Sequence, residues 1–216
     1  MSREISTSSS RVVPWIAGIV AVGVFVTAVP LFRIVPLKAA RQHTADAAFN
    51  APAFVESFWT GPLHLATASA IDATELLAAL KTDPQAAATR LGHRLGLSGH
   101  TSYFVRGRGE ITSIADDTIV IALPEGGSAV IEIGPVFGNA IRDGSGLLNV
   151  SDFPNAQDFN ALSAAINQRV EADVFPALQT QAAVGRTVQF AGGVEIPDSA
   201  VDSTSLTVVP VVIDFL

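Results

Sequence analysis

The residues with the most capacity for chemistry lie in one stretch, 134–158, which reads GPVFGNAIRDGSGLLNVSDFPNAQD. Arg142 and Asp143 follow a turn rich in glycine and proline, and Asp152, Asn155, Gln157 and Asp158 come shortly after. Arg142 is the only cation between Arg108 and Arg169. A guanidinium is a planar fork of donors, so one arginine ringed by carboxylates and amides can hold an anionic or hydroxylated ligand. The candidate ligand-binding set is therefore Arg142, Asp143, Asp152, Asn155 and Gln157. A plainer reading carries more weight: Arg142 forms an internal ion pair that pins the loop, and Asp152 or Asn155 caps the helix that follows.

Other chemistries find no support in the residues. The chain has no cysteine, which excludes disulfides, thiolate nucleophiles, cysteine-based metal centres and lipidation at a lipobox cysteine. The four histidines, His43, His64, His93 and His100, fall in a region that reads as helical. They lack an HExxH motif or paired-ligand spacing, so neither metal nor cofactor is expected. Gly107-x-Gly109 opens like a dinucleotide fingerprint, but position 112 is Thr and strand continues where a helix must begin. Gly144-Ser145-Gly146 lacks the spacing of a nucleophile elbow. No phosphate-binding loop of the Walker type occurs, and the scattered carboxylates name no acid–base pair. From Gln42 onward there are 8 Lys and Arg against 19 Asp and Glu, a balance of −11. Such a surface repels phosphate backbones, which argues against nucleic-acid binding.

The elements that must position these residues begin with a membrane anchor. Val12–Phe32 holds 21 residues without a charge, bracketed by Arg11 and Arg33, with Trp15 near one end. About 20 apolar residues span a hydrocarbon core of about 30 Å. Residues 1–11 form a short tail and 33–49 a juxtamembrane connector. Cleavage after Ala28 as a signal peptide is the rival reading. Arg3 and Arg11 on one side nearly balance Arg33, Lys38 and Arg41 on the other, so charge does not set the orientation. A short tail, one span and a large domain read as tail inside, domain exported.

Residues 50–98 read as helical. Asn50-Ala51-Pro52 opens a helix that Gly61-Pro62 should end. Asp72 starts a second. Asp83-Pro84 opens a third, Gln85–Leu95, which would place His93 and Arg94 in its last turn. Residues 99–216 change to a period of two. Strands are expected at Tyr103–Ile114, 119–123 and 129–133, with a bend or bulge at Gly107 and Gly109. A helix follows from about Ala156 to Leu178, with Phe159, Leu162, Ile166, Val170 and Val174 as its apolar stripe and Pro176 kinking or ending it. Two strands close the chain, Thr187–Ile196, interrupted at Gly192-Gly193, and Leu206–Leu216, with Pro210 at an edge or bulge. The expected fold class is α+β, with an N-terminal transmembrane helix, a helical segment and an OB-like five-stranded β-barrel in the order β-β-β-α-β-β.

Several segments together resemble a known family. These are RIVPLK after the anchor, AFVESFW, VRGRGEITSI, IEIGPVFGNAIRDG, NVSDFPNAQDFNALSAAINQRV, GRTVQFAGGVEI and the terminal LTVVPVVIDF. In this order, over residues 31–216, they resemble the bacterial DUF2291 family of predicted periplasmic lipoproteins. The resemblance implies an exported, membrane-tethered domain with an accessory role beside a sugar ABC transporter component, and it supplies no catalytic residues. It departs where the family's lipidated cysteine would stand, because Phe32 occupies that position. The apolar run must then do the anchoring. The expected protein is a single-pass inner-membrane chain with its C-terminal domain in the periplasm, acting as a non-catalytic binding or accessory module. The alternatives are a hydrolase built on the 134–158 loop and an OB-fold nucleic-acid binder.

Overall fold

A computed structural model describes residues 49–95, 99–199 and 204–216. The anchor expected at Val12–Phe32 lies outside the described residues. Among the described residues no helix is long and apolar enough to cross a membrane.

The described chain opens with helices. Helix α1 (Ala51–Phe58) starts at Asn50, whose side chain accepts from the Ala53 amide. Gly61-Pro62 does not end this run. The helix widens into a π turn at Trp59–Leu63 that contains Pro62, then continues as α2 (His64–Thr67). Widened turns of this kind absorb a residue that an α-helical ladder rejects. A two-residue strand, β1 (Ile71–Asp72), leads into α3 (Ala73–Thr82), capped as expected by the Asp72 carboxylate on the amides of Thr74 and Glu75. Helix α4 (Pro84–Leu91) is capped by Asp83 on the Ala86 amide. It stops four residues earlier than expected, because Gly92 is extended. His93 and Arg94 therefore leave the helix. His93 exchanges backbone hydrogen bonds with Ser102, and Arg94 reaches Asp198.

The barrel strands are β2 (His100–Ile114), β3 (Thr118–Ala122), β4 (Ser128–Glu132), β5 (Thr187–Pro197) and β6 (Ser205–Phe215). Neighbours run β1-β2-β3-β4-β6-β5, and β5 pairs back onto β2, so the sheet closes. The five expected strands make the closed ring, and β1 adds a sixth by lying parallel to β2. Closure needs a strongly coiled strand. Strand β2 supplies it, pairing with β5 over residues 100–110 and with β3 beyond, with a register shift between Ile111 and Ser113. Gly109 lies where a Cβ would come within 2.0 Å of the Ala122 carbonyl oxygen, so only glycine lets the strands approach. Pro210 sits at a bulge as expected, where the β5–β6 register shifts beside Gly192. Gly192-Gly193 does not interrupt β5, which runs unbroken through both.

Between β4 and β5 lie α5 (Ala140–Gly144), a 3₁₀ turn (Val150–Asp152), α6 (Ala156–Asp173) and α7 (Phe175–Gln181). The stripe Phe159, Leu162, Ile166, Val170 and Val174 is buried throughout. The helix breaks at Val174, just ahead of Pro176, which sits in the first turn of α7. The stripe, the inward residues of β3 and β4 (Ile119, Ile121, Ala129, Ile131) and Leu206 and Val208 of β6 share one core.

Candidate functional site

Strands β2 and β5 carry the chemically able side chains on two faces. The register pairs Thr101 with Ile196, Ser102 with Glu195 and Tyr103 with Val194. Alternation along a strand then puts Thr101, Tyr103 and Ile196 on one face and His100, Ser102 and Glu195 on the other.

On the first face, β2 and the end of β5 meet α4 around a pocket of about 570 Å³. Its polar lining includes Gln85, Thr89, Arg94, Thr101, Tyr103 and Asp198, beside apolar walls such as Leu80 and Ile196. Arg94 Nη2 donates to Asp198 Oδ1 at 2.7 Å and to Thr101 Oγ1 at 3.1 Å. Burial pushes the Tyr103 phenol above its ordinary value, the Asp198 charge adds to the rise, and Arg94 and the Thr101 hydroxyl oppose it. The volume suits a small molecule, and polar groups converging within apolar walls are what fix a ligand's orientation.

On the second face, α5 lies directly on the strands. A Cβ at Gly193 would come within 2.4 Å of the Ala140 carbonyl carbon, so the backbones touch where no side chain intervenes. The loop ahead of α5 is held by one face of α6. Ser163 donates to Asn139 Oδ1 at 2.7 Å, Asn167 donates to the Gly138 carbonyl at 3.1 Å, and Glu171 accepts from the Val136 amide at 2.9 Å. These residues are four apart, which aligns them along the helix.

Arg142 and Asp143 meet each other here. Arg142 Nε donates to Asp143 Oδ1 at 2.6 Å and Nη2 to Oδ2 at 3.2 Å, with both side chains only 6% exposed. Nη1 donates to Asn160 Oδ1 and to the Phe159 carbonyl, and the guanidinium lies 4.0 Å from the Phe159 ring centre. The other three expected site residues lie elsewhere in the loop. Asp152 accepts from the Asn149 amide, Asn155 caps α6 through the Asp158 amide, and Gln157 is exposed in the first turn of α6. Among the described residues none of these three bonds to the Arg142–Asp143 pair.

A different trio does converge. Ligand-capable atoms of His100, Asp143 and Glu195 all lie within 4.8 Å of one another. His100 Nε2 is 3.7 Å from Glu195 Oε1. His100 was expected among helices. It stands instead at the start of β2, and the register with β5 brings it to Glu195. No local spacing announces this group, because each member comes from a different element. Burial, and then the charge of Glu195, hold the Glu132 carboxyl above its ordinary value.

The fold is similar to that of a crystallised OB-fold protein from Thermotoga maritima, with a TM-score of 0.68 and 22% identity over 78% of this chain and 99% of that one. Among curated proteins, none matches the sequence. The sequence profile of the family described as "Predicted periplasmic lipoprotein (DUF2291)" matches residues 20–214. With that match spanning nearly the whole length, and the OB barrel expected from the strand order now closed, the chain belongs to the DUF2291 family.

Proposed function

We propose that this chain is a membrane-tethered periplasmic module that binds a small hydroxylated or anionic molecule without transforming it, and that it serves a sugar ABC transporter as an accessory subunit. The observation that carries the binding role is the Arg94–Asp198 pair at the 570 Å³ pocket. A guanidinium and a carboxylate together offer donors and acceptors to one ligand. Arg142, expected to fill this role, spends its fork on Asp143 and Asn160. Arg94 is half exposed and can turn towards a ligand. With no cysteine in the sequence, tethering falls to Val12–Phe32 rather than to a lipid.

The test is native mass spectrometry of the full chain drawn from membranes in mild detergent, followed by the Arg94→Ala variant. An intact chain carrying a small molecule, or running with a transporter subunit, supports the reading. The small molecule should be lost in the variant. A chain cut after Ala28 would overturn the tether, and a ligand kept by Arg94→Ala would overturn the pocket.

A further inference from the structure

The second face of the β2–β5 pair has a feature that small-molecule binding leaves unused. Glu195 Oε1 is itself shut off from solvent and has no hydrogen-bond partner, with His100 Nε2 3.7 Å away, although the side chain as a whole is 29% exposed. A buried carboxylate oxygen left this way costs free energy, so such atoms are normally paired or bound to a metal. Directed at the same space are the His100 imidazole and the Asp143 carboxylate. A further carboxylate, Glu132, lies close enough for the Glu195 charge to act on it. The local positive charge of Arg142 is already matched by Asp143.

We propose that His100, Asp143 and Glu195 form a divalent transition-metal site, of the class that takes Zn²⁺. One imidazole and two carboxylates are a suitable donor set for a borderline cation. With metal–ligand bonds of about 2.0–2.2 Å, tetrahedral ligand atoms stand about 3.4 Å apart. The 3.7 Å between His100 and Glu195 is already near that, and the remaining separations, up to 4.8 Å, close by rotation of the partly exposed His100 and Glu195 side chains, while Asp143 stays held by Arg142. Arg142 acts as a positioning residue, because a ligating carboxylate is commonly held by a hydrogen bond from behind. The three ligands come from β2, α5 and β5, so the ion clamps α5 onto the barrel seam. The site stands independently of the Arg94 pocket, which opens on the opposite face of the same strands.

The test uses the untagged full chain in mild detergent, stripped with a chelator and titrated with ZnCl₂ by calorimetry, with metal content measured after desalting. One Zn²⁺ per chain is expected. Loss of an outer-shell partner typically weakens a metal site about 10- to 100-fold, and Glu195→Gln and His100→Ala should each weaken it at least that much. Titrating the wild-type chain with Co²⁺ gives a readout independent of the variants: visible bands of a tetrahedral or five-coordinate nitrogen–oxygen site. Sub-stoichiometric Zn²⁺, affinity unchanged in both variants, or Co²⁺ spectra of the fully hydrated ion would each overturn the proposal.

Discussion

Replacing Arg142 by Met should be among the most damaging single changes in the barrel. The Arg142 and Asp143 side chains are each only 6% exposed and form a two-point pair. Methionine keeps much of the stem's volume against Phe159 but leaves the Asp143 carboxylate buried without its guanidinium partner. Breaking a buried pair from one side typically costs about 3–5 kcal/mol, because an uncompensated charge remains. Loss of the stacking on Phe159 adds about 0.5–2 kcal/mol. For a domain of this size each kcal/mol lowers Tm by about 2–4 °C, so the combined loss of about 3.5–7 kcal/mol should lower it by about 7–28 °C. The control is Arg142→Met with Asp143→Leu, which removes both charges. Apolar replacement of an entire buried pair is often neutral or better, so the double variant should recover most of the loss. Thermal unfolding followed by circular dichroism in chelator excludes any contribution from bound metal. A single variant that loses less than about 1 kcal/mol would show that Asp143 finds water. A double variant as unstable as the single would show that the orphaned charge is not the cause.

Glu132→Gln tests the electrostatics of the second face through pH. The Glu132 carboxyl is raised in the folded state, first by burial and then by Glu195, so the folded chain holds that proton more tightly than the unfolded chain. Its contribution to stability is therefore fully present below the ordinary value of 4.5 and is lost as pH rises through the folded value. Glutamine stays neutral, so the variant should be more stable than wild type near pH 7, with the gain vanishing towards pH 4. Urea melts across that range check it, and a gain that is constant with pH refutes it. Asn155→Ala removes the side-chain cap on the first turn of α6 and should cost about 1 kcal/mol, read from the urea midpoint at unchanged slope.

The parts of the fold that could be read from the sequence are those set by short-range rules. Asp72 and Asp83 cap the helices they precede, because a carboxylate two or three residues ahead of free amides has one good use. The period of two in β3 and β4 buries Ile119, Ile121, Ala129 and Ile131, and the stripe of α6 faces the core. Reading fails where a tertiary neighbour overrides the local signal. Gly61-Pro62 looks like a stop, yet the helix widens past it. Gly192-Gly193 looks like an interruption, yet those residues are bare so that α5 and β6 can lie against β5. In the 134–158 loop the plainer reading describes Arg142, Asp143 and Asn155 as the structure places them. Both groups of residues that face open or unsatisfied space escaped it.

The reason is the register of β2 against β5. A hydrogen-bonded pairing that joins Ser102 to Glu195 and Thr101 to Ile196 creates two sites at one stroke, because neighbouring residues on each strand point opposite ways. A slip of β2 by one residue would turn Thr101 and Tyr103 towards α5 and His100 towards α4 while Glu195 stayed in place, ruining both. That register is in turn held by contacts only small residues permit. Gly193 admits the backbone of Ala140, and Gly144 lies where a Cβ would come within 2.4 Å of the Tyr103 carbonyl oxygen. The pocket lining at Thr101 and Tyr103 and the trio at His100, Asp143 and Glu195 therefore rest on the same two glycines. An alanine at either position would have to push α5 off the strands, carrying Asp143 away from Glu195 while moving the backbone that supports Tyr103. The two faces are coupled through a shared strand and share no side chain, which is why neither shows as a motif and both follow once the barrel closes.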